Sequence, residues 1–341
     1  MTSPARPATL HDVAREAGVS TATASRVLNG SSRRVADSYR ERVVAAAVRL
    51  GYTANLSAQA TVRGSAAAVT LLAANITDAY FTEIAEGVAR AAEAAGLVLT
   101  IGVTDRSPQR EAALIRAAGA SRPRGIILAA SRTRQPMDPA MRATLAALEA
   151  SGTRLVTLGA PLDGVRCRTV SFDNRGGTRE LGAVLAGRGY RDAVVLAATS
   201  GLVTSDDRAD GFVSGFRGAG GERVRVTRGF ITRDSGYAQM RDALERGIAP
   251  GTVVFCISDV MAFGAVTAIR EAGRAVGGDI AVAGFGDIRL GHDIVPSLTT
   301  VRTPHEALGS LAVSAVLADP WVPAPPLGVE VILGASTPPR R

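Results

Sequence analysis

The side chains between residues 20 and 29, which read STATASRVLN, are of the types that bond to phosphates and to the edges of nucleotide bases. Arg26 carries a guanidinium that can pair bidentately with guanine or with a phosphate. Thr21 and Ala22 offer only a hydroxyl and small methyl groups, which suit contact with thymine but have no long reach. Because the apolar residues Ala24 and Val27 fall between them at helical spacing, we expect the polar side chains to share one exposed face of a helix.

Two short helices joined by a tight turn would position that face. Thr9 and Asp12 form a capping pair that opens the first helix. Gly18 follows its last turn, where a positive φ costs glycine almost nothing. Ser20 is the expected cap of the second helix. The pattern predicts a helix-turn-helix, although capping and periodicity alone also fit an ordinary two-helix corner.

A third helix is predicted from Asp37 to Leu50, with Ala36 at its cap position and Gly51 just past its end. We expect four residues of this helix to face inward: Val43, Val44, Ala47 and Leu50.

Composition limits the chemistry that the chain can perform. All 39 basic residues are arginine, so a phosphate-loop lysine and a Schiff-base lysine are excluded. The formal net charge is +8, and residues 1–63 hold nine arginines against four acids, which fits a polyanionic partner near this end. The histidines and cysteines show no zinc-ligand spacing, so we expect no metal and no cofactor.

The chain shows no targeting or membrane signal. Residues 1–10 contain no apolar run, and no segment approaches ~18 unbroken apolar residues. We therefore expect no signal peptide, no membrane partner and a cytoplasmic protein with reduced cysteines.

From residue 69 onward, short apolar runs alternate with alanine-rich helical stretches. This alternation predicts an α/β core of parallel sheets covered by helices, with ligands at the carboxyl ends of the strands. The runs form two series, one for each of two expected subdomains. The first series is 69–74, 97–103, 125–130 and 154–159, and the second is 169–173, 193–198, 224–230, 252–257 and 280–286.

The order of residues 12–29, DVAREAGVSTATASRVLN, resembles the lactose-repressor (LacI/GalR) family of bacterial transcription regulators. Further stretches occur in the order of that family: ITDAYF at 76–81, SFDNRGG at 171–177, DDRADGF at 206–212, ISDVMAFGA at 257–265, PSLTTVRTP at 296–304 and GASTPP at 334–339. The resemblance therefore covers nearly the whole chain.

The resemblance implies an all-α helix-turn-helix head followed by a periplasmic-binding-protein-like core of two doubly wound subdomains. The expected domains are a DNA-binding head at 1–54, a hinge at 55–67 and an effector-binding, dimerising core at 68–341. The chain would cross between subdomains repeatedly, giving subdomain one about 68–160 plus 300–320, and subdomain two about 168–298 plus 323–341.

The implied function is that of a repressor, without enzymatic activity, whose affinity for operator DNA is switched by a small molecule. Two heads on a two-fold axis would match a palindromic operator, so a homodimer is expected. A sugar or sugar derivative is the first choice of effector.

The resemblance also assigns DNA contacts, with Arg26 as the main reader of bases. The expected DNA-contacting residues are Thr9, Ser20, Thr21, Ala22, Thr23, Ser25, Arg26, Asn29, Tyr52, Asn55, Ala58 and Thr61. For the hydroxyl and amide side chains among them, local capping or solvent exposure is an equal alternative. Relatives usually carry leucine at the Thr61 position, where a leucine pair wedges into the minor groove. Since threonine is a poorer wedge, we expect this hinge to bend DNA less, as a DNA-bend measurement would test.

Motif positions in the core give the expected effector contacts, led by Asp259 and Arg208. The full set is Phe81, Ser131, Phe172, Asp173, Arg208 and Asp259. A carboxylate and a guanidinium across a cleft suit sugar hydroxyls or an acidic group on the ligand. Two alternatives stay open: Phe81 and Phe172 are equally good core residues, and Asp259 with Arg208 could form a structural ion pair.

Two other function classes compete with a regulator. A solute-binding protein for transport would share the core but needs a secretion signal instead of a basic head. An α/β enzyme would need a phosphate loop, a metal cluster or a nucleophile with its base, and the sequence shows none of these patterns.

Overall fold

The structure is a computed structural model that describes residues 8–28, 35–52, 66–130 and 132–340. It divides into two compact units, one ending at Ala66 and the other beginning at Ala67. The predicted fold class, a helical head followed by an α/β core of two parallel-sheet subdomains, is confirmed.

The first unit packs three helices around a small apolar core. Helices α1 (Leu10–Ala17), α2 (Thr21–Leu28) and α3 (Asp37–Arg49) contribute its buried residues. These are Val13, Ala14, Ala17, Ala24, Val27, Val43, Ala46 and Ala47. The small side chains allow the helices to approach closely.

The capping predictions for α1 are confirmed. The Thr9 hydroxyl accepts from the backbone N–H of Asp12, and the Asp12 carboxylate accepts from the N–H of Thr9, which completes a capping box. Gly18 adopts the left-handed conformation, with φ 62°. Arg42 of α3 donates to the carbonyl of Ala17, and to that of Gly18 over 3.1 Å, so the third helix secures the turn.

Two inward residues predicted for α3 are wrong. Val44 is 48% exposed because it lies about 100° around the helix from the buried Val43. Leu50 is 38% exposed because it is the C-cap residue, past the last helical turn. Ala46 fills the core instead. Ala36 makes no side-chain cap, as its methyl group requires.

The second unit contains two parallel sheets. In the first, the strand order is β2-β1-β3-β4-β5; in the second, it is β7-β6-β8-β9. The strands of the first sheet are β1 (Ala66–Ala73), β2 (Val98–Val103), β3 (Pro123–Leu128), β4 (Arg154–Leu158) and β5 (Arg168–Val170). Those of the second are β6 (Asp192–Ala198), β7 (Arg223–Gly229), β8 (Val253–Cys256) and β9 (Ala281–Ala283).

Strand β5 belongs to the first sheet, whereas the sequence pattern assigned it to the second subdomain. The sequence pattern placed 169–173 in the second series and began subdomain two at about 168. Instead, β5 pairs in parallel with β4, so that Val156 lies opposite Arg168 and Leu158 opposite Val170. The chain leaves the first sheet only after Val170. Strand β5 is short and precedes a crossing, so its apolar pattern does not indicate which sheet it joins.

A small antiparallel ladder lies where the chain passes between the subdomains. Strand β10 (Thr300–Arg302) pairs with β11 (Glu330–Ile332). Backbone bonds from Gly284 to Thr299 and from Gly286 to Val301 join β10 to the end of the second sheet. The remaining domain boundaries proposed from the sequence stay predictions.

Eight helices described in the second unit cover its sheets. They are α4 (Ala79–Ala94), α5 (Pro108–Ala120), α6 (Pro139–Ala150), α7 (Asn174–Gly187), α8 (Val203–Gly218), α9 (Arg233–Glu245), α10 (Asp259–Glu271) and α11 (His305–Leu317). Three pairs of these helices contact each other through glycines on both partners. The glycines are Gly87 and Gly309 for α4 with α11, Gly182 and Gly215 for α7 with α8, and Gly236 and Gly264 for α9 with α10.

Replacing Gly215 by alanine should destabilise the core. A Cβ there would overlap the backbone carbonyl of Arg179 in α7, which cannot move away as a flexible side chain could. We expect a loss of about 1–3 kcal/mol or more in the free energy of unfolding, measured by urea denaturation. Gly218→Ala is the matched control on the same helix, since a Cβ there meets nothing within 4 Å. An equal loss in both variants would contradict the close-packing explanation.

Candidate nucleic-acid interface and ligand cleft

Helix α2 presents a small, polar, exposed face. Thr21, Ala22 and Arg26 are exposed, whereas Ala24 and Val27 are buried against the other two helices. One face of α2 thus packs against the apolar core of the head, and the face predicted to contact DNA is exposed to solvent. Thr21 and Ala22 lie in the first turn, from which recognition helices reach base edges.

Several predicted DNA contacts have local structural roles. The hydroxyls of Ser20 and Thr23 lie 2.8 Å apart, and Ser20 accepts from the N–H of Thr23 at the start of α2. The Thr9 hydroxyl bonds to the Asp12 carboxylate over 2.6 Å. Tyr52 is half-buried against the apolar core of the head. These residues shape the head, and their contacts with DNA stay predictions.

Ser25 is half-buried on the same helix. The predicted DNA contacts Asn29, Asn55, Ala58 and Thr61 lie outside the described residues, as does the predicted effector contact Ser131.

In the second unit, a buried arginine lies where the two subdomains meet. Arg208 of α8 is 7% exposed. Its Nε donates to the Asn174 Oδ1 over 2.8 Å and its guanidinium donates to the Ile257 carbonyl over 2.9 Å. The guanidinium also stacks over the Phe285 ring at 3.9 Å and lies near the Tyr80 hydroxyl. These contacts come from both subdomains.

The Arg208 charge is held without an ion pair. Within the described ranges, no carboxylate lies within 4.0 Å of its guanidinium. Burial lowers the pKa of Arg208, which expresses the cost of removing the charge from water. Its direct neighbours are an amide, a carbonyl, a hydroxyl and an aromatic face, while the charges of Asp259 and Asp78 act on it from beyond 4.0 Å and partly offset the effect of burial. Such an arginine is suited to bind an anionic or strongly hydrogen-bonding ligand.

Residues from the first subdomain that the sequence analysis missed lie close to Arg208. Asp78 caps α4 by accepting from the N–H of Tyr80 over 3.1 Å, and burial raises its pKa. The charges of Arg106, His305 and Arg208 act on the same carboxyl. Arg106 has a positive φ of 57°, rare for a residue with a side chain. Within ITDAYF the predicted effector contact is Phe81, although its neighbours Asp78 and Tyr80 carry the polar groups.

Asp259, predicted as an effector contact, is buried and hydrogen-bonded to two other segments of the core. It is 1% exposed; its two carboxylate oxygens accept from the Ile288 N–H over 3.1 Å and from the Thr300 hydroxyl over 2.7 Å. Asp259 thereby connects the start of α10 to the loop after β9 and to strand β10. It forms no ion pair with Arg208 by the 4.0 Å distance in the part of the chain that the structure describes.

The other predicted effector contacts occupy different environments. Phe81 and Phe172 are 7% and 4% exposed and belong to the apolar core of the first subdomain. Asp173 is exposed and caps α7 by accepting from the Gly176 N–H over 2.8 Å. Its neighbour Asn174 is the residue that meets Arg208. Their roles in ligand binding stay predictions.

The two subdomains contact each other at the rims of the cleft. On one side, the backbone of Arg134 donates to Gly201 over 2.8 Å and that of Val203 donates to Arg132 over 3.0 Å. On the other side, Arg289 contacts Glu86 and Glu306 over 3.1 and 2.6 Å. These contacts hold the subdomains together around Arg208.

A buried histidine reinforces the second rim. His305 is 3% exposed, with its Nδ1 2.7 Å from the Glu83 carboxylate and its Nε2 2.6 Å from the Thr303 hydroxyl. Glu83 also accepts from the backbone N–H of Arg289 over 3.1 Å. Burial raises the pKa of Glu83, but the bonds and charges of His305 and Arg289 outweigh it, and the pKa lies below its ordinary value.

Asp259 should make the stability of the core depend on pH. Burial, aided by the charge of Asp287, raises its pKa from 3.8 to about 6, despite the bonds from Thr300 and Ile288. The folded state therefore binds this proton more tightly than the unfolded state, and the resulting stabilisation is present below about pH 4 and lost as pH rises through 6.

The measurement is the free energy of unfolding of wild type and Asp259→Asn from pH 4 to pH 7. Relative to wild type, the variant should gain stability across this range and then level off. Asp234→Asn, at a side chain that is 94% exposed, is the control and should show no such trend. If the difference in free energy of unfolding between Asp259→Asn and wild type stayed constant from pH 4 to pH 7, burial would not raise the pKa of this carboxyl.

Comparison with known proteins identifies the family. Residues 9–55 match the model of bacterial regulatory proteins of the lacI family, and residues 183–337 match a periplasmic binding protein-like domain. The HTH-type transcriptional repressor PurR of Erwinia tasmaniensis is 31% identical over 312 residues, which cover 91% of this chain and 89% of PurR. The chain belongs to the lacI family of bacterial regulatory proteins. It is a DNA-binding transcription regulator.

Other relatives agree over nearly the whole length. The HTH-type transcriptional regulator CelR of Thermobifida fusca is 33% identical over 317 residues, covering 89% of each chain. A Lac repressor dimer solved with operator and the anti-inducer ONPF has 26% identity and a TM-score of 0.82, with 98% of this chain and 100% of that chain covered. A CelR–cellobiose complex has 28% identity and a TM-score of 0.68, covering 96% and 99%.

The helices of the described residues are all too short or too polar to cross a lipid bilayer.

Proposed function

We propose that this regulator is a repressor whose affinity for a palindromic operator is switched by a small molecule bound between the two core subdomains. The observation that carries the proposal is the exposed face of α2, held by a buried apolar face in a head that matches the lacI family model. Relatives named as repressors, and the Lac repressor solved with operator, support this direction of control.

The protein would act as a homodimer. A palindromic operator presents two identical half-sites, and two heads related by a two-fold axis would occupy them together. The Lac repressor in the operator complex is described as a dimer, which supports the same arrangement here. Because operator DNA is its target, the proposed location is the cytoplasm. The proposed role requires no catalysis and no cofactor.

The effector is a sugar derivative with an acidic group, such as a sugar acid or a sugar phosphate. CelR, a relative solved with cellobiose, supports a sugar as the effector. An acidic group is supported by Arg208, which is buried and makes no ion pair within 4.0 Å among the described residues, and by Arg106, whose charge acts with that of Arg208 on the Asp78 carboxyl. Guanidinium groups bind carboxylates and phosphates strongly in such surroundings.

Sequence-specific binding to DNA tests the proposed function directly. Double-stranded oligonucleotides would be selected from a randomised library by the full-length chain, and their affinity measured by fluorescence anisotropy. We expect a palindromic consensus, with an affinity that falls steeply as salt rises because bound counterions are released. The proposed function would be refuted if no sequence were enriched, or if the affinity did not change with salt concentration.

A further inference from the structure

A cavity lies at the edge of the first subdomain, away from the cleft. It has a volume of about 280 Å³ and lies beside Arg154, Arg168 and Trp321. Arg154 begins β4 and Arg168 begins β5, so the cavity is at the amino ends of these strands. The cleft around Arg208 lies at the carboxyl ends of the strands, where ligands of this fold class bind. The cavity is therefore separate from the proposed effector site.

Positive charge is crowded at this cavity. Three guanidiniums, from Arg154, Arg166 and Arg168, line it together with only two carboxylates, from Glu149 and Asp319. Arg154 donates to the Asp319 carboxylate over a long 3.3 Å, in a pair whose carboxylate is 76% exposed, whereas Arg166 lies 3.6 Å from Glu149, too far for a hydrogen bond. An added anion would relieve the repulsion among the arginines.

Arg168 is fixed as part of the wall. Its guanidinium donates to the carbonyls of Ala315 and Ala318 at the end of α11, over 2.8 Å to Ala318. Burial lowers its pKa, and the positive charges of Arg154 and Arg166 lower it further. Arg154 and Arg166 have no such anchor in backbone carbonyls among the described residues, so they are the groups able to turn toward a ligand.

An aromatic surface completes the cavity. Trp321 is the single tryptophan of the chain, and it packs partly against the core of the first subdomain while it lines the cavity. Because an indole and guanidiniums line the same cavity, it suits a ligand that combines an aromatic ring, which can pack on the indole, with an acidic group, which can bond to the guanidiniums. The cavity volume lies just below the ~300 Å³ at which ligand pockets begin, which limits the ligand to one ring with one acidic group.

We propose that this cavity is a second binding site, for a small aromatic anion, in which Arg154 and Arg166 bind the acidic group and Trp321 contacts the ring. Carboxylate and phosphate share the required chemistry, and the experiment below separates them.

The fluorescence of Trp321 tests the proposal directly, because no other tryptophan contributes. Benzoate and phenyl phosphate are the probes for the two acidic groups; cyclohexanecarboxylate, benzamide and inorganic phosphate each lack the ring or the charge. We expect at least one aromatic anion to change the emission of the full-length protein saturably, and each control to bind at least about 10-fold more weakly. Benzoate alone would indicate a carboxylate ligand, and phenyl phosphate alone a phosphate ester.

Substitutions at the cavity test whether the change in Trp321 fluorescence arises from binding there. Arg166 is 85% exposed, so Arg166→Ala should fold normally and weaken binding about 10-fold, as Arg154→Ala should. Arg116→Ala, at an exposed arginine of α5, is the matched control and should leave the affinity unchanged. Arg208→Lys should also leave it unchanged, which separates this site from the cleft.

Cys167 gives an independent readout. It lines the cavity, whereas the other cysteine, Cys256, is fully buried and has its pKa raised by that burial. The aromatic anion should therefore slow alkylation of Cys167. The proposal is overturned if neither aromatic anion changes the emission, if inorganic phosphate binds as tightly as phenyl phosphate, or if the affinity survives both arginine substitutions.

Discussion

Replacing Arg26 by alanine should nearly abolish binding to the selected operator. Arg26 is exposed in the last turn of α2 and is the only long side chain described on the face predicted to contact DNA. A bidentate contact to guanine contributes about 1–3 kcal/mol, so losing one from each of two heads should weaken binding about 30- to 10⁴-fold. The measurement is fluorescence anisotropy with the selected palindrome.

The loss of affinity for the selected sequence, compared with the loss for random DNA, distinguishes a contact with a base from a contact with a phosphate. If Arg26 reads a base, Arg26→Ala should lose most of its affinity for the selected sequence and little for random DNA. Arg116→Ala, which removes the same charge from the core surface, should bind both as wild type does. An equal loss on both DNAs would show that Arg26 contacts only phosphates, and the base reader would have to be sought elsewhere.

The second large effect is expected at Arg208. In Arg208→Lys the positive charge is kept, but the planar fork that bonds to Asn174 and Ile257 and stacks over Phe285 is lost. We expect the affinity for an acidic sugar derivative to fall by about 2 kcal/mol or more, which is at least about 30-fold. Binding to the operator in the absence of ligand should be unchanged, because the substitution removes no predicted DNA contact and keeps the positive charge of the core.

Thermal shifts of the full-length protein with a panel of sugar acids and sugar phosphates measure this effect, since a ligand that binds only the folded state raises its stability. Arg217→Lys is the matched control, because Arg217 is exposed on the same helix. If Arg208→Lys keeps the full ligand-induced shift of wild type, then Arg208 is a structural residue and the acidic group of the ligand must bind elsewhere.

The sequence predicted the helical head well because its signals are local. Thr9, Asp12 and Gly18 act within a single turn, so their residue types indicate their conformations directly. The strands of the core were also predictable, since buried parallel strands read as short apolar runs. The sheet to which 168–170 belongs was not predictable, because pairing of β5 with β4 depends on the path of the chain and not on residue type.

The cleft was predictable in location but less so in detail. Arg208 and Asp259 both lie where the subdomains meet, as the motifs indicated. That Asp259 bonds inward to Ile288 and Thr300 depends on contacts more than 28 residues away in sequence, which no motif spacing reveals. The glycine pairs between helices were missed for the same reason, since only the packed structure shows which backbone each one approaches.

In the proposed function, ligand binding in the core controls the affinity of the head for DNA. Its most direct test is the Kd of the full-length protein for the selected palindrome, measured with and without a saturating sugar derivative that raises the thermal stability of the protein. We expect the Kd to change by about 5- to 150-fold, and the change to disappear in Arg208→Lys. An unchanged Kd with ligand demonstrably bound would contradict the account.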